Sequence, residues 1–200
     1  MAGKYLGFIV SQRGIKVNPD KIQAIMELAL PKTIKEVQSL TDKVAALNRF
    51  VSKATDKCLP FFHTLKKSFE WMAKYQQEFK DLKAYLSSPP LLSSSKPGEE
   101  LFLYLAVSPA TISAALVREE NEVQRPVYFT SQVLRGVEVK CPSMENLTFA
   151  LVTTERKLKP YLQEHTMIVL TNKPLRKAIS SPEALRRVAL WVIEFSEFDI

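Results

Sequence analysis

The chain has 200 residues, of which 46% are hydrophobic, enough for one sizeable core or for a small module joined to a domain of about 100 residues. Two cysteines are too few for a disulfide framework and have no metal-type spacing, and no stretch reaches the roughly 18 apolar residues of a membrane span. Since the N-terminus also lacks the features of a signal peptide, we expect an intracellular, soluble protein without membrane contact, with cytoplasm and nucleus equally open.

The formal charge of +7 is concentrated at the front of the chain. Residues 1–90 hold 15 Lys or Arg against 8 Asp or Glu, whereas residues 91–200 hold 13 of each. A basic front half suggests a polyanionic partner, most simply nucleic acid. The alternative is a lysine-rich helical surface that is only solvated.

The first predicted elements are a β-hairpin and a short helix. Lys4–Val10 is a β-rich run, residues 12–14 supply a turn with a glycine, and Ile15–Val17 is the returning strand. Asn18 can cap the next helix and Pro19 suits its first position.

The second helix carries the clearest start signal. Thr33 and Glu36 form a capping box, and apolar residues recur at helical spacing from Ile34 to Val51. Ala54–Ser68 is typical of a connector that contains a proline.

A third helix precedes the most linker-like stretch of the chain. Residues 93–98 read Ser-Ser-Ser-Lys-Pro-Gly and coincide with the change in charge, so we place a domain boundary there. The helix is predicted by four residues that share one face: Tyr75, Phe79, Leu82 and Leu86.

The back half alternates strand and helix patterns. Three strands form an antiparallel meander, a long helix and a fourth strand follow, and the pattern ends with an interrupted helix and the start of another strand. In chain order these segments are Leu101–Val107, Ile112–Arg118, Val127–Ser131, Ser143–Leu162, Thr166–Leu170, Pro174–Trp191 and Phe195–Ile200.

Short segments of the front half resemble a known family. Lys4–Val10, with Gly14-Ile15 and Pro19–Ile22, resembles the end of the palm in reverse transcriptases of gypsy-type LTR retrotransposons, where a strand pair holds the primer terminus. Pro31–Thr33 through Asn48–Val51 resembles the thumb that follows the palm.

The resemblance continues in the same order through the back half. Phe69–Trp71 and Leu86–Leu92 are similar to the segment that leads into the tethered ribonuclease H of these enzymes. Thr171–Leu175 resembles that domain's Thr-Asp-His-x-Pro-Leu signature. The likeness is greatest to plant elements of this class, and it identifies the chain as part of a Pol polyprotein.

The resemblance implies a fold of the α+β or α/β class. It implies a β-hairpin and a small helical thumb-connection module, followed by a truncated ribonuclease H-like domain with a mixed sheet, an antiparallel meander and helices. We accordingly assign residues 1–30 to the end of the palm, 31–92 to thumb and connection, 93–98 to a linker and 99–200 to the ribonuclease H-like domain.

The ribonuclease H acids of the family are missing from this chain. That chemistry uses two magnesium ions held by a carboxylate cluster, but Ala106, Leu147 and Asn172 occupy three of the acid positions, and the fourth would lie beyond Ile200. Glu145 is a nearby acid, but an offset of two residues turns a side chain about 200° around a helix. We therefore expect no metal site and no cofactor for this chain, although the intact family uses magnesium.

Polymerase chemistry is not expected either, because the family's catalytic aspartates precede the equivalent of Lys4. The front half could still contact the phosphates of an RNA–DNA hybrid or another duplex, in a salt-dependent and sequence-independent way. The candidate nucleic-acid-binding residues are Leu6, Gly7, Arg13, Lys16, Lys35, Lys43 and Arg49.

The sequence therefore predicts a catalytically inactive fragment of a retrotransposon reverse transcriptase and ribonuclease H. The intact family is an RNA-directed DNA polymerase (a nucleotidyltransferase) and an endonuclease (a hydrolase) acting on RNA–DNA hybrids. Two alternatives stay open: a non-enzymatic module that binds nucleic acid weakly, and a protein-interaction domain that associates with itself or with other Pol segments. A decayed element without a selected role is also compatible with the sequence.

Overall fold

The computed structural model describes residues 2–5, 7–66, 73–136, 138–140 and 143–171. The chain divides into two compact units, Met1–Ser94 (unit 1) and Ser95–Ile200 (unit 2). Among the described residues, no helix has both the length and the apolar character needed to cross a membrane.

Unit 1 begins with a three-stranded antiparallel sheet rather than a two-stranded hairpin. Its strands β1 (Ala2–Tyr5), β2 (Phe8–Ser11) and β3 (Gly14–Val17) lie in sequence order. The prediction of one continuous strand over Lys4–Val10 is wrong, because the chain reverses at Gly7. Gly7 has a φ of +80°, a left-handed conformation that glycine adopts without steric cost.

The end of unit 1 lies against its first sheet. The amide of Ile15 donates to the carbonyl of Leu92 (2.7 Å), and the amide of Leu92 donates back to the carbonyl of Ile15 (3.0 Å). A Cβ on Gly14 would collide with the Leu92 carbonyl oxygen, and the φ of Gly14 is +128°. Glycine at position 14 therefore lets a distant part of the chain pair with β3.

The first two helices begin where the capping residues predict. Helix α1 (Pro19–Met26) follows Asn18, whose side chain accepts a hydrogen bond from the amide of Asp20 (3.2 Å). Helix α2 (Ile34–Ala45) has the complete capping box of Thr33 and Glu36. It ends before the apolar pattern does, and a 3-10 turn (Asn48–Phe50) follows.

The segment predicted as a connector is helical. Helix α3 (Ala54–Lys66) contains Pro60, which removes one backbone donor from the helix. Burial of Cys58 and Phe61, which are 4% and 0% exposed, supplies apolar packing that outweighs this loss. The same burial raises the pKa of the Cys58 thiol to about 12, which disfavours the nucleophilic thiolate form.

Helix α4 (Ala73–Ser87) is joined to α1 through a lysine. The Lys83 ammonium donates to the carbonyl oxygens of Met26 (2.8 Å) and Leu28 (2.7 Å) and lies 4.6 Å from the centre of the Phe79 ring. Lys83 thus satisfies carbonyl groups at and beyond the C-terminal end of α1, which the helix itself leaves without partners.

Unit 2 contains a mixed four-stranded sheet of order β6-β5-β4-β7. The strands β4 (Leu101–Val107), β5 (Thr111–Glu120) and β6 (Val123–Val133) form the predicted antiparallel meander. Strand β7 (Met167–Leu170) pairs with β4 in parallel. The predicted elements over 174–191 and 195–200 lie outside the described residues.

One long helix covers a face of this sheet. Helix α5 (Ser143–Leu162) has the predicted bounds and follows a short 3-10 turn (Glu138–Lys140). Its apolar residues and alternate residues of the strands form a single buried cluster. The cluster comprises Leu101, Leu103, Leu105, Ala114, Leu116, Val127, Leu147, Leu151, Leu158, Leu162 and Met167.

A buried ion pair fixes the start of β4 to β5. Arg118, 5% exposed, donates through Nε and Nη2 to both carboxylate oxygens of Glu99 at 2.9–3.0 Å. The Lys96 amide donates to the same carboxylate (2.7 Å), and His165 Nδ1 lies 3.1 Å from the Glu99 carbonyl oxygen. Burial alone would raise the pKa of the Glu99 carboxyl, but the bonds from Arg118 and Lys96 outweigh it and hold that pKa below its ordinary value.

Replacing Lys83 tests the link between α4 and α1. We expect Lys83→Met to lower the free energy of unfolding by about 2 kcal/mol, because two carbonyl groups lose a charged donor. Chemical denaturation followed by circular dichroism measures this change. Lys80→Met, at an exposed site on the same helix, is the control and should change stability by less than about 0.5 kcal/mol. Equal effects of the two substitutions would contradict the role given to Lys83.

Replacing Arg118 tests the buried ion pair, and the effect depends on pH. A carboxyl whose pKa is lowered by folding stabilises the protein above its ordinary pKa of 4.5, and this stabilisation is lost as pH falls through the folded value. We expect Arg118→Met to lower the free energy of unfolding by about 3 kcal/mol at about pH 7 and by much less at about pH 3.

Arg125 provides the matched control for this experiment, because its side chain is 51% exposed and only its Nε approaches Glu120, at 3.4 Å. Arg125→Met should leave stability nearly unchanged at both pH values. A cost of Arg118→Met that stayed constant between the two pH values would show that packing, and not the charge of Glu99, determines it.

Candidate functional site

Ala106 and Leu147, which occupy the first two acid positions that the sequence predicts, lie on opposite sides of the unit 2 sheet. Alternation along β4 turns Leu105 into the buried cluster and leaves the next residue, Ala106, exposed on the other face. Leu147 lies on α5, is 1% exposed and belongs to the same cluster as Leu105. The structure therefore does not bring Ala106 and Leu147 together.

Two candidates remain from the sequence, Glu145 and Asn172. Glu145 is half-buried in the first turn of α5, where an acid is favourable beside the helix N-terminus, and Asn172 lies outside the described residues. No group of three or more His, Cys, Asp or Glu side chains in the described ranges could hold a metal ion. With a methyl group at 106 and a buried isobutyl group at 147, the donors present do not fit a magnesium ion.

The hydroxyl group of Ser108, two residues after Ala106, holds a turn. Ser108 Oγ accepts from the amides of Ala110 (3.3 Å) and Thr111 (3.0 Å) and lies 2.8 Å from Thr111 Oγ1. These bonds close the connection from β4 to β5. The Ser108 side chain is thus part of the turn.

A shallow concavity, too small to enclose a water molecule, lies where α5 meets β5 and β6. Lys157 lies on its rim and donates through Nζ to Thr130 Oγ1 (3.1 Å), and burial lowers the pKa of this lysine. The bond ties α5 to β6. The sequence analysis did not predict this concavity. The available sequence signal was the presence of threonines on the inner side of the helix. The polar residues that line the concavity include Ser113, Ser131, Thr153 and Thr154.

Three of the candidate nucleic-acid-binding residues lie on the unit 1 sheet. Gly7 forms the turn between β1 and β2, and Arg13 is exposed in the turn between β2 and β3. Lys16 is exposed on β3, in register with Ile9 of β2. Leu6 lies outside the described residues.

The other three candidates lie on α2 and the 3-10 turn that follows it. Lys35 is exposed in the first turn of α2. Lys43, in the last turn, is half-buried and donates to Ser39 Oγ (3.1 Å). Arg49 is half-buried in the 3-10 turn, next to the fully buried Phe50. Only Lys35 of this group is freely exposed to an approaching phosphate.

The structure adds Lys21, which the sequence reasoning missed. Its ammonium lies 5.0 Å from the centre of the Phe8 ring, and a Cβ on Gly7 would be 2.7 Å from Lys21 Nζ. The Phe8 ring in turn packs against Phe50, with ring centroids 5.3 Å apart. The sequence contained an indication that Lys21 has another role. A lysine in the first turn of a helix interacts unfavourably with the helix dipole, so it does not stabilise that helix.

Comparison with known proteins connects these features to a family. Residues 71–169 match the RNase H-like domain found in reverse transcriptase. The chain is 25% identical over 198 residues to the retrovirus-related Pol polyprotein from transposon 297 of Drosophila melanogaster, covering 97% of this chain and 18% of that protein. It is 22% identical over 205 residues to the transposon Tf2-3 polyprotein of Schizosaccharomyces pombe, covering 98% of this chain and 15% of that protein.

Solved structures share the fold. A foamy viral protease-reverse transcriptase dRH in complex with double-stranded DNA superposes with a TM-score of 0.77 at 18% identity, covering 98% of this chain and 36% of that one. The foamy viral protease-reverse transcriptase in complex with an RNA/DNA hybrid gives 0.75 at 19% identity, covering 98% and 27%. The predicted fold class, a hairpin region and helices followed by a ribonuclease H-like mixed sheet, is confirmed.

The chain spans about a fifth or less of the length of these curated relatives. The collinear match over nearly the whole chain, the RNase H-like match over 71–169 and the shared fold agree with one another. The chain is thus homologous to retrotransposon Pol polyproteins, and its residues 71–169 match the RNase H-like domain found in reverse transcriptase.

Proposed function

We propose that this chain is a non-catalytic part of a gypsy-type retrotransposon reverse transcriptase, which holds a nucleic-acid duplex without cleaving it. The observation that carries the proposal is the burial of Leu147. The side chain at the family's glutamate position is built into the hydrophobic core of unit 2, whereas cleavage requires a solvated carboxylate beside metal ions.

Duplex binding is supported by the charge of unit 1. Arg13, Lys16 and Lys35 are exposed cations of unit 1, and such residues bind phosphates without reading bases. The foamy viral reverse transcriptases with the same fold are described in complex with double-stranded DNA and with an RNA/DNA hybrid. We extend this class of ligand to the present chain.

In the intact polyprotein we propose that polymerase and ribonuclease activities, with magnesium, belong to segments other than the residues seen here. The competing proposal is a protein-interaction domain that associates with itself or with other Pol segments. It predicts dimers or larger species in light scattering, and it does not require duplex binding.

The proposal predicts binding without cleavage. A labelled RNA–DNA hybrid incubated with the chain and magnesium or manganese should stay intact, whereas fluorescence anisotropy should show binding. With at least three cations at phosphates, the logarithm of the binding constant should fall with the logarithm of salt concentration with a slope of about −3 or steeper. Cleavage above background would contradict the inactive assignment. Self-association without duplex binding would favour the interaction domain instead.

Restoring acids at two family positions should affect the fold very differently. Leu147→Glu places a carboxylate in the core and should lower the free energy of unfolding by about 3 kcal/mol or more. Ala106→Asp, at an exposed site on β4, is the control and should change it by less than about 1 kcal/mol. Denaturation of both variants measures this, and neither should cleave the hybrid. A stable double variant that cleaves with magnesium would contradict the view that position 147 is committed to the core.

A further inference from the structure

We infer that Lys21 binds a backbone phosphate of the duplex, beside the Gly7 turn. The inference rests on the proposed duplex binding and adds a residue to it. It assigns a ligand to an ammonium group that has no anionic partner among the described residues of unit 1.

The Gly7 turn and the Lys21 ammonium form one small surface. Gly7 has no side chain, and its φ of +80° is a conformation that other residues rarely adopt. The space that a Cβ would occupy lies 2.7 Å from Lys21 Nζ. The Lys21 ammonium therefore lies directly against the bare backbone of this turn, and a phosphate that reaches the turn meets the ammonium there.

The ammonium is held in place by aromatic rings. Lys21 Nζ lies 5.0 Å from the centre of the Phe8 ring, a distance at which the ring face attracts a cation. Phe8 packs at 5.3 Å on Phe50, which is fully buried. The contact with Phe8, which packs on a buried residue of unit 1, thus restricts the position of the ammonium. This restriction reduces the conformational entropy lost when a ligand binds.

Two other lysines over aromatic rings show why Lys21 differs. Lys83 lies over Phe79 and donates to two carbonyl oxygens, and Lys57 lies over Tyr85 and donates to the carbonyl of Ser52 (2.8 Å). Their ammonium groups are engaged within the protein. Within the described part of the chain, the Lys21 ammonium has the ring contact but no hydrogen-bond acceptor and no carboxylate partner.

The position of Lys21 in its helix points to the same conclusion. It occupies the first turn of α1, where the positive end of the helix dipole disfavours a cation. The lysine therefore weakens the helix slightly when no anion is bound. The helix N-terminus and the ammonium are both positively charged, so they repel each other and both attract an anion. A bound phosphate would therefore offset the repulsion between them.

The test measures duplex binding by the full chain over a series of salt concentrations. Lys21→Gln should weaken binding to a labelled RNA–DNA hybrid about fivefold at low salt and reduce the magnitude of the salt slope by about 0.9, the value for one lost phosphate contact. Lys21→Arg, which keeps the charge, should retain the slope of the unsubstituted chain. Lys80→Gln, at an exposed site on α4, is the control and should change neither quantity.

The outcomes separate this inference from the proposed function. If the unsubstituted chain does not bind the hybrid, the proposed function and the inference both fail. If it binds and Lys21→Gln has an unchanged salt slope, the inference fails and the proposed function stands. A purely structural role of Lys21 would lower the melting temperature of Lys21→Gln but leave the slope of the folded fraction unchanged, which also overturns the inference.

Discussion

The packing of α5 on the β4-centred sheet is the interaction on which unit 2 depends. Strand β4 pairs with β5 on one side and with β7 on the other, and its alternate leucines form the surface that α5 covers. On the helix, Leu147, Leu151 and Leu158 form one buried seam. Because this seam passes through position 147, the residue that would carry acid chemistry in the family is here part of what holds helix and sheet together. In our proposal, a leucine in place of the family's acid extends the apolar packing, and the core of unit 2 is continuous at position 147.

The basic charge of the front half has two different physical uses. Lys83 and Lys57 direct their ammonium groups to backbone carbonyls, so they stabilise helix ends and loops inside unit 1. Arg13, Lys16 and Lys35 are exposed and are able to meet an external anion. A net charge counted from the sequence cannot separate these uses, because the count depends only on residue type, whereas the use depends on which acceptors lie within hydrogen-bond distance. The proposed duplex surface is consequently smaller than the charge excess suggests.

Local sequence signals predicted the helix bounds where capping residues or a regular apolar spacing strongly favour the helix. The Thr33 and Glu36 box marks the start of α2, and the apolar spacing of α5 gives its bounds over Ser143–Leu162. The predictions failed where tertiary contacts outweigh local preference. Pro60 favoured the prediction of a connector, but burial of its neighbours keeps α3 helical. The β-rich run over residues 4–10 gave no indication that the chain reverses at Gly7. Lys21 was missed for the same reason, since its contact with Phe8 joins a helix to a strand and leaves no trace in residue spacing.

Binding and cleaving a duplex make unequal demands on a protein. In our proposal, this difference explains how duplex binding could persist in this chain without cleavage. Phosphate binding is the sum of several salt-dependent contacts, each of which can change without abolishing the rest. Cleavage requires several carboxylates placed around two metal ions about 4 Å apart, so a single neutral residue in that cluster removes most of the activity. In our proposal, Ala106 and Leu147 of unit 2 stand in place of two members of that cluster, whereas the exposed cations and the Gly7 turn lie in unit 1. The packing of α5 on its sheet does not depend on those cations. The proposed duplex binding and the proposed loss of the cleavage site could therefore evolve independently.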